Sequence, residues 1–152
     1  MTYTLQCDVA ALLNVTPDHL ERYDGFGGYA ASKARLFAMQ RSDQFAVFGT
    51  SDETTLAVAE HENQRRNPAK VRAVDGRDLA GLQPDWPSLQ GPHNLQNAAV
   101  AVAIAEALGL TAQQWRPALA SFRGLPHRME RVADVNGVMF INDSKEIGRA
   151  HV

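Results

Sequence analysis

YAASKARLFAMQRSDQFAVFG, residues 29–49, carries the transition on which the fold reading turns. Its first half places Tyr29, Ala30, Lys33, Leu36 and Phe37 at helical spacing, with alanines supplying propensity elsewhere, so Tyr29–Met39 is expected to be a helix. Its second half, Gln44–Gly49, is a short apolar run ended by glycine, the pattern of a buried strand. Upstream, Cys7–Val15 (CDVAALLNV) reads as another strand buried on both faces. Thr16 then resembles an N-cap with Pro17 at the first helical position, which predicts a short helix ended by Asp24–Gly28. Downstream, Ser51 or Asp52 can cap a polar helix through about Asn67, and Lys70–Val74 follows as a strand. Strand and helix alternate, which argues for an α/β fold with a mostly parallel sheet.

The second half of the chain is read in the same way. Asp75–Pro92 is expected to be a connecting loop, because Gly81, Pro84, Pro87, Gly91 and Pro92 crowd it. His93–Leu108 is apolar on most faces and stops before Gly109, so it should form a central helix. Thr111 caps a further helix through about Phe122, with Pro117 in its interior. Arg131–Val135 and Val138–Ile141 flank Asn136-Gly137, the dipeptide that favours a type I′ hairpin turn. The chain contains no internal repeat and no low-complexity tract.

Composition narrows the function classes. The chain has 152 residues, with 15 Lys and Arg against 17 Asp and Glu, for a net charge of −2. No basic excess exists to bind a phosphate polymer, so nucleic acid is not an expected partner. No apolar run approaches the roughly 20 residues of a membrane helix, so no membrane partner is expected. The single Cys7 cannot form an internal disulfide, and a reducing cytoplasm is the default.

Several residues could carry chemistry, and each also has a plainer reading. His19 beside Asp18 follows a strand end, where open α/β sheets place ligands, although a histidine near a helix start is more often a cap or a surface residue. Lys33 lies in an alanine-rich helix, where most lysines are solvated. His93, Asn94 and Asn97 put polar groups on the first turns of an apolar helix, suited either to a polar ligand or to capping by Asn94. Arg128 follows a tight Gly-Leu-Pro turn; its guanidinium fork suits a phosphate, and an ordinary surface arginine is the alternative. Asp143-Ser144-Lys145 closes a strand with an acceptor and a cation, which could bind ribose and phosphates or form a solvated turn. No G-x-x-x-x-G-K-[ST] phosphate loop, G-x-G-x-x-G fingerprint, zinc-type Cys/His spacing or nucleophile motif occurs in these residues.

The order of the motifs is more informative than any one of them. LNVTPDHLERY (13–23), YAASKARLF (29–37), GPHNLQNAAVA (91–101), FRGLPHRME (122–130) and FINDSK (140–145) resemble the Mur ligases in sequence and order. GLPHR and NDSK resemble the D-glutamate-adding branch. The resemblance implies a partial three-layer central ATPase domain at 1–125, the start of the C-terminal domain with its β-hairpin at 126–145, and a non-native tail at 146–152, whose EIGRAHV reads like translated adapter sequence. It further implies ATP-dependent, magnesium-assisted ligation of D-glutamate to UDP-N-acetylmuramoyl-L-alanine through an acyl phosphate, in the bacterial cytoplasm during peptidoglycan synthesis.

By the same resemblance His19 matches a magnesium-binding histidine, and Lys33 matches a lysine that is carbamylated to an anion near the second metal. Asn97 matches an adenine contact, Arg128 a contact to the ATP phosphates, Asp143 a ribose contact, and Lys145 a lysine near the phosphates. His19, Lys33, Asn97, Arg128 and Asp143 are expected to gather around one cleft. The uridine-binding domain, the phosphate loop and most of the D-glutamate-binding domain have no counterpart in these residues, so the chain alone is expected to be inactive. The alternatives are a non-catalytic nucleotide-binding module, another Mur ligase, or a relative of folylpolyglutamate synthetase.

Overall fold

The computed structural model describes residues 5–17, 22–128 and 130–144. Three strands, β1 (Val9–Leu12), β2 (Phe45–Gly49) and β3 (Val71–Val74), form a parallel sheet in the order β1-β2-β3. Val9 pairs with Phe45 and Ala46 with Val71, so β2 lies at the centre of this sheet. Side chains alternate across the two faces. Ala10, Leu12, Ala46 and Phe48 pack on Phe37 of helix α1 (Gly25–Ala38) and Ala59 of helix α2 (Glu53–Arg65). Val47 faces the other way, with Val9, Ala11 and Val74, against Val100 and Ala103 of helix α3 (Pro92–Ala107). The result is the expected α/β arrangement of three layers, with α1 and α2 on one face and α3 on the other.

β1 is shorter than the expected Cys7–Val15, although Val15 is still buried beyond its end. Helix α1 starts a full turn before Tyr29, with Asp24 at its cap position, so Gly25–Gly28 belong to this helix. The reason is packing. Phe26 joins the core below the sheet and its ring lies 6.5 Å from that of Tyr29, so the extra turn buries apolar surface despite its glycines. Of the short helix expected from Thr16, Pro17 is not helical, and 18–21 lie outside the described residues. Asp52, not Ser51, caps α2 by accepting the Thr55 N–H at 2.8 Å.

The expected loop at Asp75–Pro92 is partly a 3-10 segment, Gly76–Asp85. Leu79, Leu82 and Leu89 from this region pack with Trp86, Leu95, Ala98, Val102 and Trp115 in a second core. Trp86 is only 2% exposed, so this core holds the segment against α3. Helix α4 (Ala112–Ser121) begins as expected after Thr111, whose N–H donates to Gln114 Oε1 at 2.9 Å. Pro117 lies within it.

The chain ends its described part in the hairpin of β4 (Glu130–Val135) and β5 (Val138–Asn142). Asn136 (φ 52°) and Gly137 (φ 78°) form its two-residue turn, both in the left-handed region that a type I′ turn requires. The register shifts between Arg131 and Ala133. Val132, Val135, Val138, Met139, Phe140 and Ile141 all remain exposed.

At the N-terminal edge of the parallel sheet the α2 terminus is fastened by a buried charged pair. Arg66, whose side chain is 0% exposed, donates from Nε to Glu62 at 2.9 Å and from its other nitrogens to Gln40 Oε1 and the carbonyls of Phe37 and Gln44. Gln40 in turn donates to the carbonyls of Cys7 and Phe45, where β1 and β2 begin. Burial pushes the Glu62 carboxyl up, and the hydrogen bonds and charges of Arg65 and Arg66 more than offset this, holding it below its usual range. Among the described residues no helix is long and apolar enough to cross a membrane.

Candidate nucleotide-side site

With the N-terminal edge closed, the opposite edge is where β2 and β3 release the chain toward polar residues. Thr50, Ser51, Asp75 and Gly76 follow the two strands there, and the first turns of α3 lie over them. Together with Pro92 and Gln96 they line an open cavity of about 290 Å³. The carboxyl edge of an open parallel sheet is the usual place for a ligand.

Gln96 holds this edge together. Its Oε1 accepts the Gly76 N–H at 2.8 Å and its Nε2 donates to the Val74 carbonyl at 2.9 Å. The approach requires two glycines. A Cβ at Gly49 would overlap the Leu13 carbonyl oxygen and lie 2.8 Å from Gln96 Nε2, and one at Gly76 would lie 2.8 Å from the Gln96 nitrogen. Sequence reasoning missed Gln96, because a glutamine in an apolar helix resembles a solvated residue until its two partners are known. The Asp52 carboxylate caps α2 and also accepts the Val15 N–H at 3.2 Å. It therefore ties the segment after β1 to the start of α2.

On the rim of the cavity Asp75 accepts hydrogen bonds from the Arg77 side chain, the closest at 2.6 Å, and from the Arg77 N–H. The Arg77 hydrogen bonds, with its charge, lower the Asp75 carboxyl to about 2. A depressed carboxylate stabilises the fold above its ordinary value of 3.8, and that contribution is lost as pH falls toward about 2. Carboxyl-carbon NMR should find Asp75 titrating near the bottom of this window, and Arg77→Ala should return it toward 3.8. An Asp75 that titrates at its ordinary value in the unsubstituted chain would contradict the pairing.

The proposed site residues sit on separate elements. Lys33 is half-buried on α1, with Nζ 4.9 Å from the centre of the Tyr29 ring; Tyr29 packs edge-on against Tyr23 at 5.2 Å. Asn97 is exposed on α3, on the other side of the sheet, one residue beyond Gln96. Asn94 does not cap α3 as the plain reading expected. Gly91 (φ 87°) occupies the cap position, and Asn94 reaches back to the Gln90 carbonyl at 3.0 Å.

Arg128 and Asp143 are brought to the same end of the hairpin. The Leu125–Arg128 turn closes with the Arg128 N–H on the Leu125 carbonyl at 3.2 Å. His127, at φ 63°, donates its N–H to Glu130 at 2.8 Å, and its ring lies 2.8 Å from Asn142 Nδ2. Asn142 directly precedes Asp143 and pairs with Glu130 across the strands. His127 is thus the link between the two segments, which the sequence signalled only through the GLPHR block. Arg128 is exposed and Asp143 half-buried.

His19 and Lys145 lie outside the described residues, as does the tail at 146–152. Among the described residues no three His, Cys, Asp or Glu side chains are grouped to hold a metal ion.

Comparison with known proteins gives this architecture a family. Residues 1–80 match the Mur ligase middle domain. The UDP-N-acetylmuramoylalanine–D-glutamate ligase of Novosphingobium aromaticivorans is 64% identical over 145 residues, which cover 95% of this chain and 32% of that protein. The ligase of the same name from Sphingopyxis alaskensis is 47% identical over 150 residues, 99% of this chain and 34% of its own length. A crystal structure of MurF from Acinetobacter baumannii superposes with a TM-score of 0.68 at 23% identity, covering 90% of this chain and 33% of that one. The chain spans about a third of the length of the curated relatives that it matches. A family model matching more than half of the chain, on a three-layer α/β fold shared with a Mur ligase crystal structure, places the chain in the Mur ligase family.

Proposed function

We propose that this chain is the nucleotide-side segment of a bacterial, cytoplasmic ligase that joins D-glutamate to UDP-N-acetylmuramoyl-L-alanine with ATP in peptidoglycan synthesis. The observation that carries this reading is the 64% identity, over 95% of the chain, to a ligase of that name. In such a reaction the substrate carboxylate attacks the γ-phosphorus of ATP, giving an acyl phosphate and ADP. The amine of D-glutamate then attacks the acyl carbon and expels phosphate, leaving the amide. Magnesium, when bound, shields the crowded phosphate oxygens, and His19 and a carbamylated Lys33 are the proposed residues to hold it.

The chain's own part is binding and orientation. Asn97 offers its carboxamide to the adenine edge from α3, whose position over the strand ends is set by Gln96. Asp143 suits the ribose diol. Arg128 and Lys145 supply positive charge to the phosphates, and the His127–Asn142 contact keeps the arginine turn beside the Asp143 segment. These residues contain no phosphate-loop run, so the isolated chain is proposed to give no turnover.

The test is a hybrid ligase in which this chain replaces the matching 145-residue stretch of the Novosphingobium relative. Arg128→Ala in the hybrid should lower kcat by about 10²-fold, the typical cost of losing one donor to developing charge. Asn97→Ala should raise KM for ATP about tenfold, equivalent to about 1.4 kcal/mol for one lost base contact. Unchanged ATP kinetics in both variants would remove these residues from the nucleotide site.

A further inference from the structure

The asparagines of this chain differ sharply in whether the amide that follows them can act as a nucleophile. Asn14 is followed by Val15, whose N–H is held by the Asp52 carboxylate at 3.2 Å. Asn67 is followed by Pro68, which has no N–H. Asn63 and Asn97 lie inside helices with their following amides, and the Leu95 N–H after Asn94 donates to the Gly91 carbonyl at 3.0 Å. Asn142 is engaged at both ends of its carboxamide, with His127 Nδ1 at 2.8 Å and the Ser144 N–H at 3.2 Å.

Asn136 is different in every respect. It stands at the tip of a two-stranded hairpin, exposed, and among the described residues its carboxamide has no hydrogen-bond partner. The following residue is Gly137, whose N–H lies in the turn with no carbonyl partner among the described residues. Apart from its two chain neighbours, nothing among the described residues lies within 4 Å of the position that a Gly137 Cβ would occupy, so the turn is open on that side. The flanking Val135 and Val138 are exposed as well, so the tip can open without dismantling a core.

We infer that Asn136-Gly137 is a site of spontaneous deamidation, which converts Asn136 mainly to isoaspartate and uncouples the hairpin from its tip. The Gly137 backbone nitrogen loses its proton and attacks Asn136 Cγ. The Cγ–Nδ2 bond breaks, ammonia leaves, and a five-membered succinimide closes. Water then opens the ring. Attack at the former side-chain carbonyl gives aspartate; attack at the main-chain carbonyl gives isoaspartate. The net change is one water taken up and one ammonia released, and no oxidant or catalyst is needed. The isoaspartate linkage runs the backbone through the side-chain methylene. A two-residue turn has no slack for that extra atom, so the Val135–Val138 pairing is lost first. The product also carries a new negative charge.

The experiment incubates the full 152-residue chain at mildly alkaline pH, follows peptide masses, and labels isoaspartate with an isoaspartyl methyltransferase. The expected result is that Asn136 converts several-fold faster than any other asparagine, with the methyl label confined to its peptide and the rate rising with pH. Asn67 serves as an internal reference that cannot react by this route. Asn136→Gly removes the electrophile and retains a residue suited to positive φ. That variant should form no isoaspartate there and should keep its cross-strand Val135–Val138 NMR contacts throughout. The inference is overturned if Asn136 converts no faster than Asn14 or Asn142. It is equally overturned if the converted chain retains the Val135–Val138 contacts of the fresh one.

Discussion

The Arg66→Met chain is expected to lose about 3–5 kcal/mol of unfolding free energy, the usual cost of stripping one partner from a buried ion pair. Methionine fills much of the volume but donates nothing. Glu62, 5% exposed, would keep only Arg65, and the Phe37 and Gln44 carbonyls and Gln40 Oε1 would each lose a donor. Because these groups belong to the end of α1, the start of β2 and the end of α2, the loss should be cooperative and not a local fraying. Urea unfolding followed by circular dichroism measures it as a lower midpoint at unchanged slope. The pH dependence has a definite sign. A Glu62 carboxyl held below its ordinary 4.5 contributes stability above that value, lost as pH falls through the lower folded value. The variant should show less of this acid-side loss. A midpoint within error of the parent would mean that the network contributes nothing net.

Trp86→Ala should cost a similar amount, about 3–5 kcal/mol, because a large side chain leaves a cavity that its neighbours cannot collapse to fill. Trp86 is a fully buried large side chain in the core that joins the 3-10 segment to α3 and α4. Hydrogen exchange should show the loss concentrated at Gly76–Asp85 and the first turns of α3, with the β1-β2-β3 sheet protected longer. Uniform loss of protection across both cores would contradict this division.

Apolar runs and helix punctuation made most of the architecture legible. The continuous apolar runs at β1 and β2, the helical spacing of α1, the cap before α2 and the apolar helix α3 closed by Gly109 carry this reading. The hairpin was legible for a stricter reason, since Asn-Gly satisfies the two positive φ values found at 136 and 137. That punctuation failed at two places. Gly25, Gly27 and Gly28 resemble a break, yet packing of half-buried Phe26 against the core lets α1 begin at Gly25. Likewise Pro84 and Gly81 made Gly76–Asp85 resemble a loop, whereas 3-10 geometry tolerates them and Leu79, Leu82 and Trp86 need a core.

The site was less legible than the fold. Local chemistry left His19, Lys33, Asn97, Arg128 and Asp143 each with a plain alternative, and only their order along the chain distinguished them. Gln96, and the links that His127 makes to Asn142 and Asp52 makes to Val15, leave no local mark because each joins partners distant in sequence, Gln96 reaching Gly76 and Val74. Such pairings carry no periodic signal.

Giving the hybrid ligase ATP, magnesium, UDP-N-acetylmuramoyl-L-alanine and D-glutamate, and weighing the products by mass spectrometry, tests the proposed reaction itself. The expected result is one new amide product, equimolar ADP and phosphate, and no product when D-glutamate is replaced by D-alanine. A folded hybrid that binds ATP yet forms no amide, while the parent relative does, would contradict it.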